Sequence, residues 1–241
     1  MIHPARRPFP EGSGIFETIR TVNGTLAEYS RHMRRAVKSA QALKVSLPSE
    51  EEIRARIAEE ILNRPHALGR LRVCFSNLGF VVTHDEYLEL TEPGYITFSP
   101  HTSKADGEQH KTFPYDSHYE IVDEARKDGF DDAMIFNGGN FVTETGLSNI
   151  AFLFDNKWQT PPISAGILPG IMRAIAIERC GVEVRNIHIS EIPDAKEVTL
   201  LSSLKIAQPV LQIGEHRLPI GSASEAFNAQ MREKVEYFSV G

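Results

Sequence analysis

Lys111 lies in His110-Lys111-Thr112-Phe113-Pro114-Tyr115. An amine flanked by apolar and aromatic side chains is open to partial desolvation, the condition under which lysine becomes a nucleophile. Glu144 ends an apolar run, and a short Thr-Gly-Leu-Ser link separates it from Asn149-Ile150-Ala151-Phe152. Gly170 precedes Ile171-Met172-Arg173 and would offer backbone amides at a helix start, the usual cradle for a phosphate. Arg35 brings a planar fork suited to the same anion, and Ser202 and Ser203 bring hydroxyls. Taken singly, each also fits a plain role: a solvated lysine beside a polar loop, a strand-end carboxylate, a hydrated helix end, a solvent-facing arginine, a strand terminus.

The common signatures are absent. Gly12-Ser13-Gly14 opens like a dinucleotide loop, but Glu17 stands at the third glycine and the residues after it read as strand. No phosphate-binding Walker sequence, His-Glu-x-x-His or Gly-x-Ser-x-Gly occurs. Cys74 and Cys180 have no His or Cys neighbours at zinc spacing, so no metal is expected.

Periodicity supplies the elements that must hold these residues. Residues 15–22 mix β-branched and aromatic side chains and are joined to 25–29 by Asn23-Gly24, a hairpin signal. Met33, Ala36, Val37, Ala40 and Leu43 form the apolar stripe of a helix over 30–43. Ser49 with Glu52 is a capping box opening a helix over 49–63, with Ile53, Ile57, Ile61 and Leu62 on its buried side. Strands are expected at 70–76, 79–83 and 95–98. A polar stretch at 101–110 is the expected linker between a domain at 1–100 and a larger one at 111–241. Beyond it come a helix ending at Gly129, strands at 133–136, 140–143 and 149–154, and a helix over 170–180. Short strands at 183–189, 197–202 and 208–213 and a last helix over 223–238 complete an α+β pattern in two layers per half.

Composition bounds the function. Hydrophobic residues at 41% and charged residues at 24% are those of a folded globular chain. Net charge of −6 argues against a nucleic-acid coat or an anionic-membrane binder and favours small-molecule partners. Arg6, Arg7, Pro4 and Pro8 stand where a secretory signal needs its apolar core, and no apolar run of about 18 residues occurs. With two cysteines and no need of a disulfide, a cytoplasmic location is expected.

In this order the segments resemble the class IV aminotransferases, the fold-type IV enzymes of pyridoxal phosphate. That family includes branched-chain and D-amino acid aminotransferases and aminodeoxychorismate lyase. The likeness rests on Gly14-Ile15-Phe16-Glu17-Thr18-Ile19-Arg20, His32-Met33-Arg34-Arg35, His110-Lys111-Thr112, Val142-Thr143-Glu144, Ser148-Asn149-Ile150, Gly166-Ile167-Leu168-Pro169-Gly170-Ile171 and Ser202-Ser203. It implies the two-domain fold-type IV architecture, with a small N-terminal and a larger C-terminal domain. It implies Lys111 as Schiff-base lysine and acid/base, and Glu144 as partner of the pyridine nitrogen. The phosphate would be bound by Arg35, Ile171, Met172 and Ser203, and Phe16 and Tyr115 would contact substrate. Met172 stands where members often carry threonine, giving an amide but no hydroxyl.

The implied activity is transamination between an amino acid or amine and a 2-oxo acid, in a homodimer. The alternative is 4-amino-4-deoxychorismate lyase, which eliminates pyruvate to give 4-aminobenzoate; the short chain and the Arg72-Val73-Cys74-Phe75-Ser76 strand fit it. A cofactor-free binding protein on the same fold is disfavoured, since Lys111 and Glu144 are both retained.

Overall fold

A computed structural model describes residues 9–103, 109–219 and 221–240. In chain order the first elements are β1 (Gly14–Val22), β2 (Thr25–Ala27), α1 (Tyr29–Leu43), α2 (Glu50–Asn63), β3 (Leu68–Ser76), β4 (Gly79–Glu86), β5 (Gly94–Ser103), β6 (Thr112–Phe113) and α3 (Asp116–Lys127). There follow β7 (Asp132–Asn137), β8 (Val142–Thr145), β9 (Asn149–Phe154), β10 (Lys157–Thr160), α4 (Ile171–Cys180), β11 (Glu183–Val184), β12 (Glu197–Ser202), β13 (Ile206–Ile213), β14 (His216–Arg217), α5 (Ser222–Lys234) and β15 (Tyr237–Phe238). They form an α+β fold of two compact units, one within Met1–Leu88, His110–Asp116 and Tyr237–Gly241, the other within Glu89–Gln109 and Ser117–Glu236.

The first unit is an antiparallel sheet in the order β15-β2-β1-β3-β4, with β6 also pairing β1. Asn23 and Gly24 both take positive φ, 47° and 81°, which is what closes a two-residue hairpin between twisted strands. Strand alternation sends Ile15 and Ile19 of β1, Leu71, Val73 and Phe75 of β3 and Val82 of β4 into one core with Tyr29, Ala36, Ala40, Ile53 and Ile57 of the helices. The capping box of α2 is present, Ser49 Oγ accepting from Glu52 N while Glu52 accepts from Ser49 N.

The second unit is a mixed sheet in the order β11-β10-β9-β12-β13-β5-β7-β8, with β14 on β13. β9, β12 and β13 are antiparallel neighbours, and β13, β5 and β7 run parallel. All six residues of β9 are buried, as expected of a central strand covered on both faces. Glu197 of β12 is buried and accepts a hydrogen bond from Ser224 N at 2.6 Å, which neutralises the start of α5.

Several sequence expectations are corrected. Val37 and Leu43 are exposed, and the buried side of α1 is instead Tyr29, His32, Ala36, Ser39 and Ala40. Two polar residues occupy the stripe because each has a partner from a distant segment, His32 the buried Glu17 and Ser39 the half-buried His110. Leu62 is exposed, leaving Ile53 and Ile57 as the buried residues of α2. β5 runs through Pro100 to Ser103, into the stretch expected to be linker; residues 104–108 of that stretch, like residues 1–8, lie outside the described residues. The strand expected over 183–189 is only Glu183–Val184 and is followed by a 3₁₀ turn from Ile189. The last helix stops at Lys234, and Tyr237–Phe238 pairs with β2.

Candidate active site

In the first unit, β6 is the element that places Lys111. Its pairing with β1 sets Gly14 opposite Phe113, and Phe16 N donates to Lys111 O at 2.9 Å. The Lys111 ammonium then lies 4.5 Å from the Phe16 ring centroid and 4.8 Å from that of Tyr115. The two rings meet edge to face at 5.1 Å. An aromatic pair of this kind holds an ammonium by its π faces while shedding its water. Next to it, His110 Nδ1 lies 3.0 Å from Ser39 Oγ, tying this segment to α1.

Behind Phe16, on the helix side of the sheet, Glu17 is 1% exposed. Arg35 donates to both its oxygens, Nε to Oε1 at 2.8 Å and Nη2 to Oε2 at 2.6 Å, and His32 Nδ1 lies 2.6 Å from Oε2. Burial alone would raise the Glu17 carboxyl. The Arg35 guanidinium and its hydrogen bond, with His32, overcome that and hold it at about 2. Burial pushes the His32 imidazole down; Glu17 opposes the shift, and the charges of Arg35 and Lys111 add to it. Glu17 therefore fixes the orientation of the Arg35 fork. Sequence reading missed its role, although an acid at an inward position between Ile15 and Ile19, with His32 and Arg35 three apart on the facing helix, was a usable signal.

Glu17→Gln is expected to destabilise the protein by about 3–5 kcal/mol, because it leaves Arg35 buried beside a neutral amide. The pH dependence has a definite sign. With the folded pKa at about 2 and the ordinary value 4.5, the stabilisation is complete above pH 4.5 and is lost as pH falls towards 2. Denaturant titrations of both proteins between pH 7 and pH 2 should show the gap closing on acidification; a constant gap would contradict the assignment.

In the second unit, Glu144 of β8 is 9% exposed and accepts from Asn149 Nδ2 at 3.1 Å and from Leu168 N at 3.3 and 3.2 Å to its two oxygens. Asn149 Nδ2 also donates to Leu168 O at 3.0 Å. Its Oδ1 lies so close to Gly170 that any Cβ there would collide with it, so glycine is required at the N-cap of α4. Gly170 supplies no side-chain cap, and the helix start at Ile171 and Met172 is thereby presented without a competing protein acceptor from its own cap. Arg173 is held by Pro161 O through Nε and Nη2 at 3.2 and 2.7 Å, and burial pushes it down to about 10 against the opposing field of Glu144.

Leu201 pairs with Asn149, so Ser202 and Ser203 continue from the strand beside this carboxylate. Ser203 is half-buried in the turn to β13. That turn ends at Ile206 with φ of 63°, an uncommon conformation for a β-branched residue.

The structure thus gathers Phe16, Arg35, Lys111 and Tyr115 in the first unit and Glu144, Ile171, Met172 and Ser203 in the second. Asn149 and Arg173 join the second set without having been anticipated as polar supports. In the first unit an amine stands on an aromatic platform; in the second a buried carboxylate has fixed donors, and the helix start at Gly170 has no side-chain cap. Among the described residues no group of three or more His, Cys, Asp or Glu is placed to hold a metal ion, and no helix is long and apolar enough to cross a membrane.

Comparison with known proteins gives a consistent result. The profile of the family described as Amino-transferase class IV matches residues 14–213. The aminodeoxychorismate lyase of Vibrio harveyi is 25% identical over 256 residues, covering 93% of both chains. The branched-chain amino acid aminotransferase of Escherichia coli superposes with a TM-score of 0.81 at 18% identity, over 96% of this chain and 91% of its own. A hypothetical aminotransferase of Mycobacterium tuberculosis, in its PLP-bound form, gives 0.81 at 20% identity over 93% of this chain and 89% of its own.

Proposed function

The chain belongs to the amino-transferase class IV family, and from that premise we propose that it is a pyridoxal 5′-phosphate enzyme moving an amino group between an amino acid or amine and a 2-oxo acid. The observation that carries this reading is the buried Glu144, held by Asn149 and Leu168 beside the uncapped start of α4. A carboxylate so fixed suits a protonated ring nitrogen, and the adjoining amides suit a phosphate.

When bound, the cofactor supplies an electron sink for a carbanion next to nitrogen. Lys111 would serve as nucleophile and then as the base that takes the substrate Cα proton onto Nζ and delivers it to the carbon that had carried the aldehyde. The rings of Phe16 and Tyr115 exclude water from that amine and line the substrate's approach. Glu144 holds the nitrogen's proton. Arg35, oriented by Glu17, the amides of Ile171 and Met172 and the Ser203 hydroxyl hold the phosphate; Met172 contributes its amide alone.

A second reading is favoured by the Vibrio harveyi relative, which matches this chain nearly end to end: 4-amino-4-deoxychorismate lyase, with pyruvate eliminated and 4-aminobenzoate formed. One experiment separates the two. The purified protein is incubated with D- and L-amino acids plus 2-oxoglutarate or pyruvate, and in parallel with aminodeoxychorismate. New amino acid formed in the first supports transfer; 4-aminobenzoate released only in the second replaces it with the lyase.

We propose a cytoplasmic location, which the two free cysteines support, and a homodimer, which the family resemblance supports. Light scattering is expected to give about twice the chain mass of 26.9 kDa, and an active species at the single-chain mass would refute it.

A further inference from the structure

Asp132, the first residue of β7, is 1% exposed and has no part in the chemistry above. All its hydrogen bonds but one go to the link that follows Glu144. Oδ2 accepts from Thr145 Oγ1 at 2.8 Å and from Leu147 N at 3.3 Å; Oδ1 accepts from Ala133 N at 2.8 Å. Gly146 sits over the same carboxylate, so closely that a Cβ there would be 2.9 Å from Oδ1 and 2.9 Å from Val122. Within the link, Thr145 N donates to Ser148 O at 2.8 Å and Ser148 N to Thr145 Oγ1 at 3.1 Å, which closes it into a turn.

The two ends of this turn are Glu144 and Asn149, the acceptor and the donor of the 3.1 Å hydrogen bond that fixes the Glu144 carboxylate. The turn's own hydrogen bonds set its form, and its seat is set by what lies beneath: Gly146 N donates to Ala133 O at 3.2 Å and His118 Nδ1 lies 3.1 Å from Gly146 O. The Asp132 carboxylate holds it on both sides of that glycine, accepting from the Thr145 hydroxyl and from the amide two residues on.

We propose that Asp132 is a positioning residue which, through Thr145 and Leu147, sets the Glu144–Asn149 pair in the geometry that meets the cofactor's ring nitrogen. This inference rests on the reading of Glu144 given above. Asp132 touches neither cofactor nor substrate. It supplies two acceptor oxygens where three donors converge, and asparagine cannot serve all of them: with its oxygen towards Thr145 and Leu147 its amide nitrogen faces Ala133 N, and turned over it faces the two donors of the link.

The test compares equilibrium binding of pyridoxal 5′-phosphate with that of its 1-deaza analogue, in which carbon replaces the ring nitrogen. Melting temperatures of the cofactor-free proteins are recorded alongside. The wild type should prefer the nitrogen-bearing cofactor by about tenfold or more, the value of a charged hydrogen bond. Asp132→Asn and Thr145→Val should lose most of that preference, while Thr145→Ser, which keeps the hydroxyl, should retain it.

Equal weakening towards both cofactors, or an unchanged preference in Asp132→Asn and Thr145→Val, would overturn the inference and leave Asp132 a fold-stabilising residue. Glu144→Gln serves as the control for the underlying reading. If that variant keeps the preference, the role of Glu144 itself fails and takes this inference with it. If it loses the preference while the Asp132 and Thr145 variants do not, only this inference fails. Should Asp132→Asn not fold, the two Thr145 variants decide.

Discussion

Lys111→Ala should abolish turnover, and borohydride treatment should no longer attach cofactor to the chain. Both outcomes follow from the setting of this amine. It is the lysine delivered by β6 to the face of Phe16 and Tyr115; in the alanine variant the Arg72 guanidinium still lies over Phe16, 5.5 Å from its centroid, but it is no imine-forming amine. Because Nζ is assigned both the bond to the aldehyde carbon and the proton transfer, one substitution removes two functions, and the losses do not add as independent steps. The wild type, reduced with borohydride and digested, should carry its label on the peptide holding Lys111. A label on a different lysine would end the assignment whatever the alanine variant does.

Glu144→Gln should separate binding from chemistry. The glutamine oxygen can take the place of Oε2, which accepts from both Asn149 Nδ2 and Leu168 N, so the local packing survives. Cofactor should therefore still bind. What is lost is the negative charge that keeps a pyridine nitrogen protonated. Each unit by which that nitrogen's pKa falls is worth about 1.4 kcal/mol, and removal of an anionic partner from a buried site lowers it by more than one unit. Proton abstraction should slow by orders of magnitude. Cofactor titration by absorbance and single-turnover rates on the same variant measure the two effects separately. A variant that binds and reacts like the wild type would make Glu144 an ordinary strand-end acid.

What could be read in the sequence follows from how local each signal is. The Asn23-Gly24 hairpin, the Ser49–Glu52 box and the helix opening at Gly170 are fixed by neighbours within a few residues, and their chemistry is written in the residues themselves. β6, β10 and β15 are short strands defined by their partners, and two to four residues carry no period to detect. The stripe of α1 failed for a related reason. His32 and Ser39 are buried because Glu17 and His110 await them from distant segments, whereas Val37 and Leu43 look apolar locally and find no core to enter.

The candidate site divides the same way. Lys111, Glu144, Arg35 and the α4 start were legible as residue types in an order. The groups that hold them, Glu17, Asn149 and Asp132, became visible only when strands far apart in sequence were side by side. Polar supports of this kind have no spacing rule, because their partners are set by register between strands and not by distance along the chain.

The sheet of the first unit is assembled from three separate stretches: β1 to β4, then β6, then β15, with Tyr237 and Phe238 lying against Ala27 and Leu26 and Phe238 stacking on Tyr29 at 5.6 Å. During synthesis the ribosome releases these stretches at widely different times. While most of the second unit is still being made, β2 stands at the border of an incomplete sheet with its outer edge unmatched, a ready template for strands of other nascent chains. Tyr237 and Phe238, which emerge after α5, close that edge, so a chain stalled or clipped after α5 would lack its guard against self-association even with Lys111 and Glu144 already in place.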